Sequence, residues 1–96
     1  MPTGSADITL ETPIERGDTS IATLRLRKPG SGELRGLSLT ALLGMEVSAI
    51  IQLLPRITVP PITEVEAEAL DPADLTACAL EVADFLLPAA RKPKAT

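Results

Sequence analysis

The sequence predicts an α+β fold: an N-terminal β-hairpin followed by three or four short α-helices, the last (about 72–87) the longest. Two periodicities and one kind of boundary carry that prediction. Polar and apolar residues alternate with period 2 near the start of the chain. Apolar residues recur every three to four positions further on, and prolines and glycines separate the segments.

Residues 1–6 (MPTGSA) are small and polar, and are expected to be a disordered N-terminus. Asp7-Ile8-Thr9-Leu10-Glu11-Thr12 alternates as a half-buried strand does. Glu15-Arg16-Gly17-Asp18 reads as a turn, in which Gly17 can take a positive φ without steric cost. Residues 19–27 return to β-type composition, with Ala22, Leu24 and Leu26 on one face and Thr23, Arg25 and Arg27 on the other. Pro29 closes the hairpin.

Gly30-Ser31-Gly32-Glu33 reads as the start of a helix with Ser31 as N-cap. Its stripe is Leu34, Leu37, Ala41 and Met45, weakened by Gly36 and Gly44 at up to ~1 kcal/mol each. A second helix from about Glu46 places Val47, Ile50, Ile51 and Leu54 at i, i+3, i+4 and i+7. Pro55 is expected to stop it. Residues 56–62 contain Pro60 and Pro61 and should be extended. Thr63-Glu64-Val65-Glu66 is a capping box that opens a short helix. Asp71 caps the final helix and Pro72 occupies its first position, where the missing N–H costs nothing. Leu75, Cys78, Ala79, Val82, Phe85 and Leu86 form its inner stripe. Residues 88–96 read as a flexible basic tail, which leaves 7–87 as a single small domain.

Composition excludes most enzyme chemistry. The 96 residues include no histidine, so Ser-His-Asp and Cys-His pairs and the usual transition-metal sites are unavailable. Cys78 alone cannot hold zinc, which needs four ligands, and its place on the apolar stripe makes it a core filler. Asp74, Glu81 and Asp84 share one side of the final helix and read as solvated surface. Gly30-Ser31-Gly32 lacks both phosphate-binding glycine patterns. No catalytic residue, cofactor or metal is expected. The chain shows no signal peptide and no apolar run near the ~18 residues of a membrane span, and one cysteine suits a reducing compartment, so the expectation is a cytosolic protein.

The net charge of −4 is unevenly spread. Arg25, Arg27, Lys28 and Arg35 cluster in the first half, whereas seven carboxylates between Glu64 and Asp84 share a stretch without Lys or Arg. Such polarity suits head-to-tail self-association or a basic partner, or simply two solvated faces. The acidic balance and the lack of stacking aromatics disfavour nucleic acid.

Specific residues then narrow the field. Ile8-Thr9-Leu10-Glu11-Thr12-Pro13-Ile14, Leu24-Arg25-Leu26-Arg27-Lys28-Pro29 and Gly32-Glu33-Leu34-Arg35-Gly36-Leu37 come first. Leu54-Pro55-Arg56-Ile57-Thr58-Val59-Pro60-Pro61-Ile62-Thr63-Glu64 and Leu70-Asp71-Pro72-Ala73-Asp74-Leu75 follow in order. Together, over about residues 8–87, they resemble the phage tail assembly chaperone family, the tail assembly proteins of Mu-like and related long-tailed phages. Glu33 stands where that family usually has Asp. The resemblance implies a non-catalytic chaperone of the host cytoplasm. It would keep the helical tape-measure protein soluble, help the tail tube protein assemble around it, and be absent from the mature virion.

Such a partner calls for apolar helix faces and a charged rim. The candidate partner-binding residues are Val47, Ile50, Ile51 and Leu54 on the second helix, and Arg25, Arg27 and Arg35 on the basic strip. The alternatives are a structural tail or connector component of the virion and a small nucleic-acid-binding regulator.

Overall fold

The computed structural model describes residues 5–88. Of the ends expected to be loose, residues 1–6 and 88–96, residues 1–4 and 89–96 lie outside the described residues, whereas Ser5 and Ala6 belong to the first strand because they pair with Arg27 and Leu26. Strands β1 (Ser5–Arg16) and β2 (Thr19–Arg27) form the predicted antiparallel hairpin. A 3-10 helix (Ser31–Leu34), α1 (Leu39–Leu43) and α2 (Val47–Ile57) follow. A two-residue strand β3 (Thr58–Val59), α3 (Glu64–Glu68) and α4 (Pro72–Leu86) complete the chain. The sheet order is β1-β2-β3, so the fold is α+β with the longest helix last.

The hairpin is longer than the alternation suggests. β1 begins at Ser5, which pairs with Arg27, and Glu15 and Arg16 pair with Ser20 and Thr19. The loop is therefore only Gly17-Asp18, with Gly17 at φ 55°. Between Thr9↔Thr23 and Ile14↔Ile21 the register slips, so residues 10–13 of β1 lie opposite Ala22 alone. Pro13 explains the slip, since it has no N–H to give to the ladder. The slip also corrects the expected face of β2: Ile21, Leu24 and Leu26 are buried and Ala22 is exposed.

The helix expected from Ser31 is two pieces. Gly36, at φ 84°, breaks it, and Ser38 caps α1 by accepting from the Ala41 amide at 3.2 Å. α1 ends in a Schellman pattern, in which the amides of Met45 and Glu46 donate to the carbonyls of Leu42 and Ala41. Glycine usually takes the left-handed position of that motif, yet here Met45 holds it at φ 57°. Gly44 takes the position before, where a Cβ would sit 3.2 Å from the Thr40 carbonyl oxygen.

α2 does not stop at Pro55. It runs on to Ile57, which is fully buried, and the Thr58 amide closes the end on the Leu54 carbonyl. Thr58 and Val59 then pair with Leu26 and Arg25, a third strand too short to show as a pattern. Its buried Thr58 hydroxyl accepts from the Ile62 amide at 3.1 Å. The caps of α3 and α4 are as predicted: Thr63 Oγ1 and the Glu66 carboxylate exchange bonds with each other's amides at 3.0 Å, and Asp71 accepts from Ala73 at 2.9 Å.

The core lies between the sheet and the helices. Leu24 and Leu26 from β2, Leu42 from α1, Ile50, Leu53, Leu54 and Ile57 from α2, and Cys78 and Val82 from α4 are fully buried. Burying each such aliphatic side chain contributes about 1.5–3 kcal/mol.

Candidate partner-binding surfaces

The buried face of α2 is Ala49, Ile50, Leu53, Leu54 and Ile57, rotated from the stripe read in the sequence. Of the four candidates, Ile50 and Leu54 are core and Ile51 is half-buried. Val47 is 56 % exposed. Pro55 masked the rotation: treating the helix as ended removed Ile57 from the pattern, and with it the 50-53-54-57 face.

The basic strip is mostly internally neutralised. Arg25 and Arg27 share the exposed face of β2, but Arg25 Nε donates to Asp7 Oδ1 at 2.9 Å. Arg27 makes a bidentate pair with Glu33 and also donates to the Arg56 carbonyl at 2.8 Å, covering an open carbonyl at the end of α2. The Arg27 guanidinium, then the Gly30 amide, hold the Glu33 carboxyl down at about 2. Arg25 likewise lowers the Asp7 carboxyl. Arg56 donates to the carbonyls of Glu33 and Arg35, at 2.6 and 3.1 Å. Arg35 is exposed and is not brought into that bidentate pair. A third pair lies near α3, where Arg16 grips Glu66 through two 2.7 Å bonds and the Pro61 carbonyl at 2.6 Å.

The expected solvated carboxylate face also changes. Asp74 is only 2 % exposed, and its two oxygens accept the amides of Glu11 at 2.8 Å and Thr12 at 3.1 Å. These amides belong to the slipped stretch of β1, which β2 leaves without partners. Cys78 is buried as expected, and burial, reinforced by Asp74 and Glu81, pushes its thiol up to about 11. That suppresses the reactive thiolate. Among the described residues no group of three or more His, Cys, Asp or Glu could hold a metal, and no helix is long and apolar enough to cross a membrane.

Several large apolar side chains also remain open to solvent. Leu39, Leu43, Met45 and Val47 are exposed around the corner between α1 and α2, and Leu80 is exposed on α4. Met45, Val47 and Ile50 face Leu75, Thr76 and Ala79 across a groove of about 160 Å³. The period-based reading placed Met45 on an inner stripe and left out Leu39, Leu43 and Leu80. Leu80 was legible in one respect, since it stands outside the inner stripe of α4.

The chain matches, over residues 7–87, the family described as "Phage tail assembly chaperone proteins, E, or 41 or 14". It is similar to Tail assembly protein E of Escherichia phage P2, 48% identical over 81 residues that cover 84% of this chain and 89% of that protein. It is also similar to Tail assembly protein E′ of the same phage, 48% identical over 80 residues that cover 83% of this chain and 56% of that longer protein. No solved structure matches. A match over nearly all of the described residues, with both relatives at nearly half identity, leaves one assignment: the chain belongs to the phage tail assembly chaperone family.

Proposed function

We propose that this protein is a non-catalytic chaperone that binds the tape-measure protein and assists assembly of the tail tube around it. It acts in the host cytoplasm and departs before the virion is complete. Family membership supplies the setting, and the observation that carries the binding reading is the exposed apolar corner of α1 and α2. Small soluble domains rarely leave Leu39, Leu43, Met45 and Val47 together in water without a use for them. A long apolar helix would bury such a surface and be kept from aggregating. The paired arginines support a protein partner over nucleic acid, because Arg25 and Arg27 already have carboxylates.

Co-expression with the tape-measure protein of the same phage tests this. The expected result is a clear rise in soluble tape-measure protein and a co-purifying complex, with this chain missing from purified particles by mass spectrometry. Unchanged solubility with no complex would overturn the reading, and stoichiometric presence in particles would favour a structural role.

A further inference from the structure

We propose that α1 and α2 are the two arms of a hinge, bent at Gly44-Met45-Glu46 in the resting state and able to straighten into one helix from Leu39 to Ile57. Such a hinge is independent of what the protein binds. The break between the arms is short, and no proline lies between Ser38 and Leu54 to enforce it. Its geometry falls on Met45, held at φ 57° in the left-handed region that a non-glycine residue occupies at a cost.

The start of α2 is also incomplete. Glu46 stands at the N-cap with no side-chain bond, and the amides of Val47, Ser48 and Ala49 take no backbone carbonyl. A continuous helix gives these amides the carbonyls of Leu43, Gly44 and Met45. It also returns Met45 to right-handed geometry and keeps Ser38 as its cap.

The exposed side chains fit the straight form. Leu39, Leu43 and Val47 lie open to solvent in the bent state, while Ile50, Leu54 and Ile57 are fully buried. In one helix these positions follow one another at steps of four, four, three, four and three, a single apolar face interrupted by Glu46. The bend divides that face, docking its second half and leaving the first in water. Leu42 opposes straightening, since it is fully buried and α1 packs against α4. With α2 still docked, a straight helix lifts Leu42 out of the core, so the bent state is the lower in energy. Strain and uncapped amides on one side, and one buried leucine on the other, set the balance between the two states.

The test is the distance between nitroxide labels on Thr40→Cys and Gln52→Cys, two exposed sites on either side of the hinge, read by double electron–electron resonance in the full chain. Cys78 is buried and stays unlabelled. A continuous helix separates the two backbone positions by about 18 Å, and the bend brings them closer. The wild type should show a shorter main distance and a minor longer one. Gly44→Ala should raise the longer population at least about fivefold. Alanine favours a helix interior, and in the bent state its Cβ would sit 3.2 Å from the Thr40 carbonyl oxygen. Met45→Gly removes the left-handed cost and Glu46→Ser gives α2 a side-chain cap, so each should push the longer population below that of the wild type. One unchanged distance in all four proteins, or a shift in the same direction in Gly44→Ala and Met45→Gly, would overturn the proposal. Were Gly44→Ala to fail to fold by circular dichroism, the other three proteins decide. The longer distance must then be present in the wild type and shrink in both remaining variants, and its absence from the wild type overturns the hinge.

Discussion

Asp74, at the start of α4, accepts the backbone amide of Glu11, 63 residues earlier in the chain, at 2.8 Å. Its second oxygen takes the amide of Thr12 at 3.1 Å, so one carboxylate completes the stretch of β1 that slips out of register with β2. Asp71 adds a weaker link, accepting from the Thr12 hydroxyl at 3.3 Å. The last helix thereby fastens the first strand where that strand's own partner leaves its amides unpaired.

Asp74→Ala is expected to destabilise the protein by about 2–4 kcal/mol. A hydrogen bond to a charged group contributes about 1.5–3 kcal/mol, and part-buried amides left without partners add to the loss. Asp74→Asn keeps one acceptor oxygen and should cost less. Thermal melts check both, with a fall of roughly 10 °C or more expected for the alanine variant at this chain length. Changes within about 0.5 kcal/mol for the alanine variant would show that solvent serves these amides equally well.

The rotated face of α2 gives a paired test. Ile50 is fully buried, so Ile50→Ala should cost about 2–5 kcal/mol. Val47, one turn before it, is mostly exposed, and Val47→Ala should stay within about 0.5 kcal/mol. Urea denaturation of both variants measures the difference. Similar losses would restore the 47-50-51-54 stripe as the core face.

Met45→Gly should raise stability by about 0.5–1 kcal/mol, because relief of left-handed strain exceeds the extra chain entropy of glycine. A gain in melting temperature is the expected outcome. A loss of stability would mean that the methionine side chain contributes more by packing than its backbone costs.

Acid should weaken the fold through two carboxylates. Glu66, held down by Arg16 and then by the Thr63 amide, and Glu33, held down by Arg27 and then by the Gly30 amide, each titrate at about 2 against an ordinary 4.5. A depressed folded-state pKa means that the unfolded chain binds the proton first. Their stabilisation is therefore fully present above pH 4.5 and is lost as pH falls from there toward 2. Both pairs are solvent-exposed, so the effect should be small and reduced by salt. Melting temperature followed from pH 6 to pH 2 should fall less steeply in Glu66→Gln than in the wild type.

How much of this was legible in the sequence depended on the range of the interactions. The caps at Thr63 and Asp71, the hairpin and the stripe of α4 are local, set by residues within one turn or one strand pair, and they read correctly. The break at Gly36 and the persistence of α2 past Pro55 depended on what lay opposite. Burial of Ile57 outweighs a proline that local rules treat as a stop. Asp74 lay furthest from reach, because its partners are amides exposed only by a slip in a distant strand. The candidate surface was half legible: Val47 was named, but Met45 and Leu80 became visible only when α1, α2 and α4 were placed side by side.

The slip in β1 has one more effect, on how the protein behaves when it is abundant. β1 is an outer strand of twelve residues, and a straight outer strand of that length would template the addition of a strand from another molecule. Four consecutive residues out of register, a proline among them, and two amides already claimed by Asp74 interrupt the ladder near its middle. A neighbouring molecule can find no long unbroken row of donors and acceptors there. The protein can thus carry exposed apolar surface while denying its own copies a route to sheet-to-sheet growth.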